Sequence, residues 1–484
     1  MSLGTEKAAA GMSAAKKRGI WFIALLVIYF IVSSLPANGT TSPEGVITGL
    51  TPVGLKSIAL MIVAVICWIT EVIPIAIASI LFLFLQHVTG IMAAGPAVAN
   101  FATPTFIFVL SSFFLAFALS ESGLSKRISL KLTVLSKGSP VKAALLLMAG
   151  TAIISAFISD VPACAAFFPI GLAMIEKNGC KIGQSNFAKL VLIGIPFASL
   201  IGGVGTPAGS SLNVLTLSLL QSSANVVVSF PQWASLGIPM VIIITPLAWF
   251  ALTKVFKPEI DTLVGIEDIK KEYEALGPFN KQEAKFITIF VILLIVWFTE
   301  TIHKVPLPVS ATIGAAVFFL PGIDLLTWGG TKNRIGWDVI LLIGAANSLG
   351  TSLWKTGAAP WIAESVLGGL TSASSLTLIL AIVIFTVLIH LLVPVNPAIV
   401  SILVPTLCAL AVASGLNPAA LAVPMGFTVS AAFLLPLDPV PLITYQAGYY
   451  SMGDYFKAGV PVSIIWTIVV TAGLFILGGP IGLF

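Results

Sequence analysis

The chain has 484 residues, 58% of them hydrophobic and 9% charged, with a formal net charge of +5. Soluble chains carry about a quarter charged residues, and apolar runs of about 17–25 residues, long enough for membrane helices, recur from Ile20 to Leu483. A water-solvated globule is therefore excluded, and so is a closed β-barrel, which would show alternating segments of about ten residues.

The positive balance follows loop placement and implies no affinity for nucleic acid. Four cysteines (Cys67, Cys164, Cys180 and Cys408) are scattered without metal-ligand spacing and read as small buried residues. No metal and no cofactor is expected. Lys16-Lys17-Arg18 precedes the first apolar run without a small-residue cleavage site, which favours an uncleaved first helix over a signal peptide.

In chain order, spans are predicted at residues 19–35, 53–70, 74–91 and 104–119. Residues 124–131 alternate apolar and cationic side chains and suit a helix lying flat in the interface. Two half-length runs, 143–159 and 162–175, follow, hinged at Ile158-Ser159-Asp160-Val161-Pro162. A Pro just after a polar residue stops and restarts a helix, so the pair reads as a re-entrant hairpin covering about 139–176. The span from 188 breaks at 202–209 and resumes to 220, and another covers 233–250. Residues 255–285 form the one long polar segment, taken as a cytoplasmic loop between two halves.

The pattern then starts again, with spans at 286–298, 307–320 and 338–354 and a short segment to 370. A second hairpin, about 374–412, has arms 376–393 and 397–411 and breaks at Leu392-Val393-Pro394-Val395-Asn396-Pro397. A broken helix over 418–449 carries its break at 435–441, and the last span covers 460–475. The strings confirm an internal repeat. Trp68-Ile69-Thr70-Glu71 returns as Trp297-Phe298-Thr299-Glu300 at an offset of 229, the hairpin breaks differ by 236, and Thr206-Pro207 lines up with Asp438-Pro439 at 232. Residues 53–254 and 286–484 are the expected repeats, with 1–52 as N-terminus and first span.

Lys and Arg placement puts the N-terminus in the cytoplasm and the C-terminus outside a cell membrane, leaving only Lys56, Lys304 and Lys355 on the outer side. The expected fold is an all-α polytopic membrane protein of about eleven transmembrane helices plus two re-entrant hairpins, one from each side. Paired helix breaks in matching halves mark a transporter's midplane binding site. The restarting half-helices begin near Pro162, Ser211, Pro397 and Leu442, and their free N–H groups suit anionic ligands. No Lys or Arg lies mid-span, so a dianion held by amides, hydroxyls and helix ends is the natural substrate.

The hairpin and broken-helix order, the repeated Trp-hydrophobic-Thr-Glu and the string Ile201-Gly202-Gly203-Val204-Gly205-Thr206-Pro207 resemble the divalent anion–sodium symporter family of di- and tricarboxylate carriers. The resemblance implies a homodimer, a bilayer setting, and elevator-type scaffold and transport domains. It implies a substrate site of Ser159, Asp160, Val161, Thr206, Pro207, Asn396, Pro397 and Pro439, binding C4/C5 dicarboxylates such as succinate. Former sodium-site loops fall at Gly202, Gly205, Ser210 and Asn213. Where the family carries Ser-Asn-Thr tips, this chain has Ser159-Asp160-Val161 and Val395-Asn396-Pro397.

Three ionisable residues lie at membrane depth, Asp160, His390 and Asp438, and such residues are functional candidates by default. An internal pairing of His390 with these acids could replace a sodium ion, which leads to sodium-independent dicarboxylate exchange as the favoured reading. Sodium or proton symport stays open, since Asp is a good ligand for hard cations. An intramembrane protease lacks a Gly-x-Gly-Asp or Gly-x-Ser-x-Gly string, and opposed hairpins suit alternating access better than a channel.

Overall fold

The computed structural model describes residues 19–41, 47–370, 373–393 and 395–482; the Lys16–Arg18 cluster and Pro394 lie outside these. Seven helices among the described residues are long and apolar enough to cross a membrane, and five shorter apolar helices accompany them.

The first series runs α1 (Gly19–Ser33), α2 (Pro52–Thr70), α3 (Ile75–Val88), α4 (Ala94–Phe101) and α5 (Pro104–Ser122). Starts and stops follow local chemistry. At α2, Thr51 Oγ1 accepts from the Gly54 N–H and Pro52 takes the first turn, where its missing N–H costs nothing. Helix α5 ends at Gly123 with φ 83°, a left-handed closure that favours glycine. Next come α6 (Leu124–Leu135), α7 (Pro140–Ile158), α8 (Asp160–Lys177), α9 (Asn186–Gly203), a short turn at Pro207–Gly209, α10 (Ser211–Ala224) and α11 (Phe230–Val255).

The second series is α13 (Lys281–Phe298), α14 (Glu300–His303), α15 (Leu307–Val317), α16 (Trp328–Thr331), α17 (Trp337–Lys355) and α18 (Ala358–Leu367). It continues with α19 (Ser375–Ile389), α20 (Asn396–Ala413), α21 (Ala419–Thr428), α22 (Pro439–Tyr445) and α23 (Met452–Gly478). Each series thus presents long helices, then a hairpin, then an interrupted helix, then a long closing helix.

One large core joins the hairpins, broken helices and closing helices, while α2, α3 and the face of α17 toward them share a second cluster. Depth differs sharply along the chain. The apolar window of α9 is 89% buried and that of α23 only 33%, which places α9 at the centre and α23 at the periphery. Phe197 of α9 stacks edge-on against Phe433 and Tyr455, tying that centre to the second break and to α23.

Two expected segments differ. Residues 255–285 are not a bare loop, because they hold α12 (Ile266–Ala275), packed on α6 and tied to the end of α8. The Leu263 N–H donates to the Gly138 carbonyl (2.8 Å), the Val264 N–H to Asn178 Oδ1 (2.7 Å), and Lys177 pairs with Asp268 (3.0 Å). These contacts close both ends of the hairpin. Likewise, α6 does not expose all its cations. Arg127 is buried, forms a two-pronged ion pair with Glu283 (2.6 and 2.9 Å), and donates to the carbonyls of Gly277 and Pro278.

Candidate substrate and ion site

At the first hairpin tip α7 ends at Ile158, and Ser159 takes φ 91° and ψ 144° before α8 begins at Asp160. That backbone region is essentially reserved for glycine, and residues held there cost about 1–3 kcal/mol. Asp160 Oδ1 accepts from the Val161 N–H (2.8 Å) and from Ser159 Oγ (3.3 Å), while its carbonyl accepts from Ser199 Oγ (2.6 Å). The restart falls at Asp160 and not Pro162, because a proline without an N–H is tolerated anywhere in a first turn.

The break after α9 is built by its own polar side chains. Asn213 Nδ2 donates to the Gly203 carbonyl (2.7 Å) and the Thr206 carbonyl (2.9 Å), clamping the loop from the first turn of α10. Thr206 Oγ1 donates to the Ala156 carbonyl on α7 (2.5 Å) and accepts from the Ala208 N–H, so the loop is bolted to the hairpin. The Gly205 N–H closes a turn onto the Gly202 carbonyl (2.8 Å). A Cβ on Gly203 would lie 3.2 Å from the Gly209 carbonyl oxygen and 3.3 Å from Asp160 Cβ, so glycine there lets Asp160 and the loop pack close together. Pro207 faces the opposite way, into a cavity along α10.

At the second tip α19 ends at Ile389, earlier than the expected 393, and α20 begins at Asn396 with Pro397 next. Asn396 Nδ2 donates to Asp438 Oδ2 (2.5 Å). Asp438 Oδ1 in turn accepts from the Val440 N–H (3.0 Å), capping α22 at Pro439. The second break is longer than expected. Helix α21 stops at Thr428 and α22 starts at Pro439 rather than Leu442, because an Asp cap followed by proline is a stronger start than the apolar residues beyond it.

Three cross-contacts bring the four interruptions together. Cys164 on α8 donates to the Val440 carbonyl (3.5 Å), Ser210 Oγ meets Ser430 Oγ (3.4 Å), and Asn396 meets Asp438. Ser430 and Ser199 carry no signal in the sequence, and Cys164, read there as a small buried residue, is a contact between two interruptions. Nothing local marks Ser430, since the apolar pattern around it reads as continuing helix.

His390 takes a different partner from the acids expected of it. It caps α19, its Nε2 bonds to the Val429 carbonyl (2.8 Å), and its Nδ1 has no partner. It does not pair with Asp160 or Asp438, because the Val429 carbonyl at the C-terminal end of α21 engages its ring instead. Both Asp are buried (7% and 8% exposed) and join no ion pair among the described residues. Asn213 Oδ1 and Asn396 Oδ1 are buried and undonated as well. Asn396, expected to grip a substrate carboxylate, has turned its N–H toward Asp438 and leaves its oxygen free. The assembled site is rich in oxygen acceptors, and no Lys or Arg forms an ion pair with its acids among the described residues. Uncompensated buried carboxylates are costly, and oxygen clusters of this kind suit a hard cation.

A helical membrane protein whose helices break at four converging places belongs to the class of membrane transporters. Residues 16–479 match the family described as sodium:sulfate symporter transmembrane region, and the chain belongs to that family. It is 28% identical over 439 residues to the sodium-dependent dicarboxylate transporter SdcS of Staphylococcus saprophyticus, covering 86% of this chain and 84% of that one. It is 27% identical over 430 residues to SdcS of Staphylococcus aureus strain USA300, covering 83% and 82%. Two solved structures share the fold. The Alcanivorax borkumensis YdaH transporter gives a TM-score of 0.58 at 15% identity, covering 97% of this chain and 99% of that one. Neisseria gonorrhoeae MtrF, described with a class of antimetabolite efflux pumps, gives 0.57 at 12%, covering 96% and 94%.

Proposed function

We propose that this chain carries small dicarboxylates across a cell membrane together with sodium ions, which enter and leave as co-substrate. The observation that carries the reading is the unpaired buried acid pair, Asp160 and Asp438, beside the undonated oxygens of Asn213 and Asn396. Sodium-independent exchange needed His390 to neutralise those acids, and His390 is engaged elsewhere. With the internal cation gone, external cations must balance the acids before a dianion can approach. The dicarboxylate preference follows the relatives named for it. Transport by an elevator motion of the two hairpins and broken helices past α2–α5 and α13–α17, in a homodimer with a cytoplasmic N-terminus, completes the reading.

The test is uptake of radiolabelled succinate into proteoliposomes. An inward sodium gradient should drive uptake into empty vesicles, and choline in place of sodium should abolish it. Uptake that ignores sodium and needs internal dicarboxylate would restore the exchange reading, and uptake driven by a proton gradient alone would replace sodium with protons.

A further inference from the structure

A cavity of about 480 Å³ lies along α10 on the face that the Lys and Arg pattern assigns to the outside. Its α10 wall is Val214, Leu217, Ser218 and Gln221, one stripe of the helix about 10 Å long at 1.5 Å per residue. The inner end touches Pro207 in the α9–α10 break, and the outer end reaches Glu300 and Lys304. The opposite wall comes from the starts of α5 and α15, so the cavity follows the seam between the proposed moving part and the proposed scaffold.

Its polar groups divide into committed and free. Glu300 Oε2 accepts from the Phe230 N–H at the start of α11 (2.7 Å), so this carboxylate is turned to a helix N-terminus whose partial positive charge offsets part of its own. Among the described residues, the side chains of Thr105, Ser218 and Gln221 make no protein hydrogen bond, and Lys304 makes no ion pair. Lys304 is exposed and held by the αL turn between α14 and α15 (φ 59°). The cavity therefore offers at its mouth a lysine with no ion-pair partner among the described residues and three uncommitted donors behind it, and ends beside the loop that Asn213 clamps. Cavities of some 300–1,000 Å³, mostly apolar with a few convergent polar groups, are the size and character of small-molecule sites.

From this geometry we propose that the cavity is an anteroom which collects the dicarboxylate from the outer solution, with Lys304 as its steering charge and Gln221 and Ser218 as transient carboxylate donors. The proposal rests on the dicarboxylate reading above. A charge at a cleft mouth raises local anion concentration and on-rate, and salt screens the effect within about 8–10 Å at 0.1–0.15 M.

The experiment measures sodium-driven succinate uptake by Lys304→Gln, Lys304→Glu and Gln221→Leu in uncharged phosphatidylcholine vesicles, at low and high ionic strength with sodium fixed. Lys304→Gln should raise KM about three- to tenfold at low ionic strength and leave kcat unchanged, Lys304→Glu should raise it further, and both differences should shrink in high salt. Gln221→Leu should raise KM in a way salt does not remove. Unchanged KM in all three variants, with wild-type transport intact, overturns the anteroom. A Lys304 effect seen only when anionic lipid is added also overturns it, since the lysine would then hold a lipid headgroup. Absence of succinate uptake by wild type under every gradient condemns the dicarboxylate reading itself and is a separate result.

Discussion

Asp438 caps α22 with Oδ1 and accepts from Asn396 Nδ2 with Oδ2, a contact that an Asn at this position keeps if Asn396 turns its free Oδ1 to it. As a cap it needs only an oxygen for the Val440 N–H, and Asn caps as well as Asp. Asp438→Asn should therefore fold normally while its sodium half-saturation rises by at least about tenfold, the equivalent of 1.4 kcal/mol. A sodium titration of succinate uptake unchanged from wild type would remove Asp438 from the ion site. Ser159 makes the opposite kind of case. Its φ of 91° suits glycine, so Ser159→Gly should raise the unfolding temperature in detergent by relieving part of about 1–3 kcal/mol of strain. Thr206→Val keeps the shape but strands the Ala156 carbonyl, and a loss of about 1–3 kcal/mol should appear as a lower midpoint in the same melt.

Between elements, charge is used as fastening. Arg127 and Glu283 are 9% and 2% exposed at the side chain, and Arg127 also donates to the carbonyls that follow α12. Removing one partner of a buried pair leaves the other charge stranded and costs about 3–5 kcal/mol, so Glu283→Gln should melt well below wild type. Arg127→Met with Glu283→Leu should recover much of the loss. A second fastening responds to pH. Burial alone would raise the Glu259 carboxyl, but hydrogen bonds from Ser185 and from the Phe187 N–H (2.9 Å) outweigh it and hold the group below its ordinary 4.5. A depressed carboxylate stabilises the folded state fully above the unfolded value, and the contribution fades as pH falls through the folded one. The protection factor of the Phe187 amide, its exchange rate referred to the intrinsic rate at the same pH, should thus be high at pH 6 and fall as pH drops below about 4.5. Glu259→Gln should show the lower protection factor throughout.

Across the whole molecule, the elevator reading requires α10 to slide along α5 and α15. Leu217 and Leu307 line opposite walls of the outer cavity, so a bifunctional thiol reagent joining Leu217→Cys to Leu307→Cys should stop transport, and a cleavable linker should restore it on reduction. Full uptake by completely crosslinked protein would mean that this seam does not move.

What the sequence alone determined was the set of interruptions. Lipid leaves unbonded backbone nowhere to go, so proline and glycine inside apolar runs stand out against their surroundings. Ser159-Asp160, Gly202–Gly209, Asn396-Pro397 and Asp438-Pro439 were legible for that reason. The buried acids were legible too, since charge is rare in such segments. Partner choice was not. Asn396 turning to Asp438, His390 turning to the Val429 carbonyl and Ser210 meeting Ser430 join residues 42, 39 and 220 positions apart. No local pattern encodes which of several polar atoms wins a buried hydrogen bond; competition among all the groups the fold brings within reach decides it. That competition takes His390 away from the acids and leaves them without an internal counter-charge, which is the physical reason the proposed coupling is sodium symport.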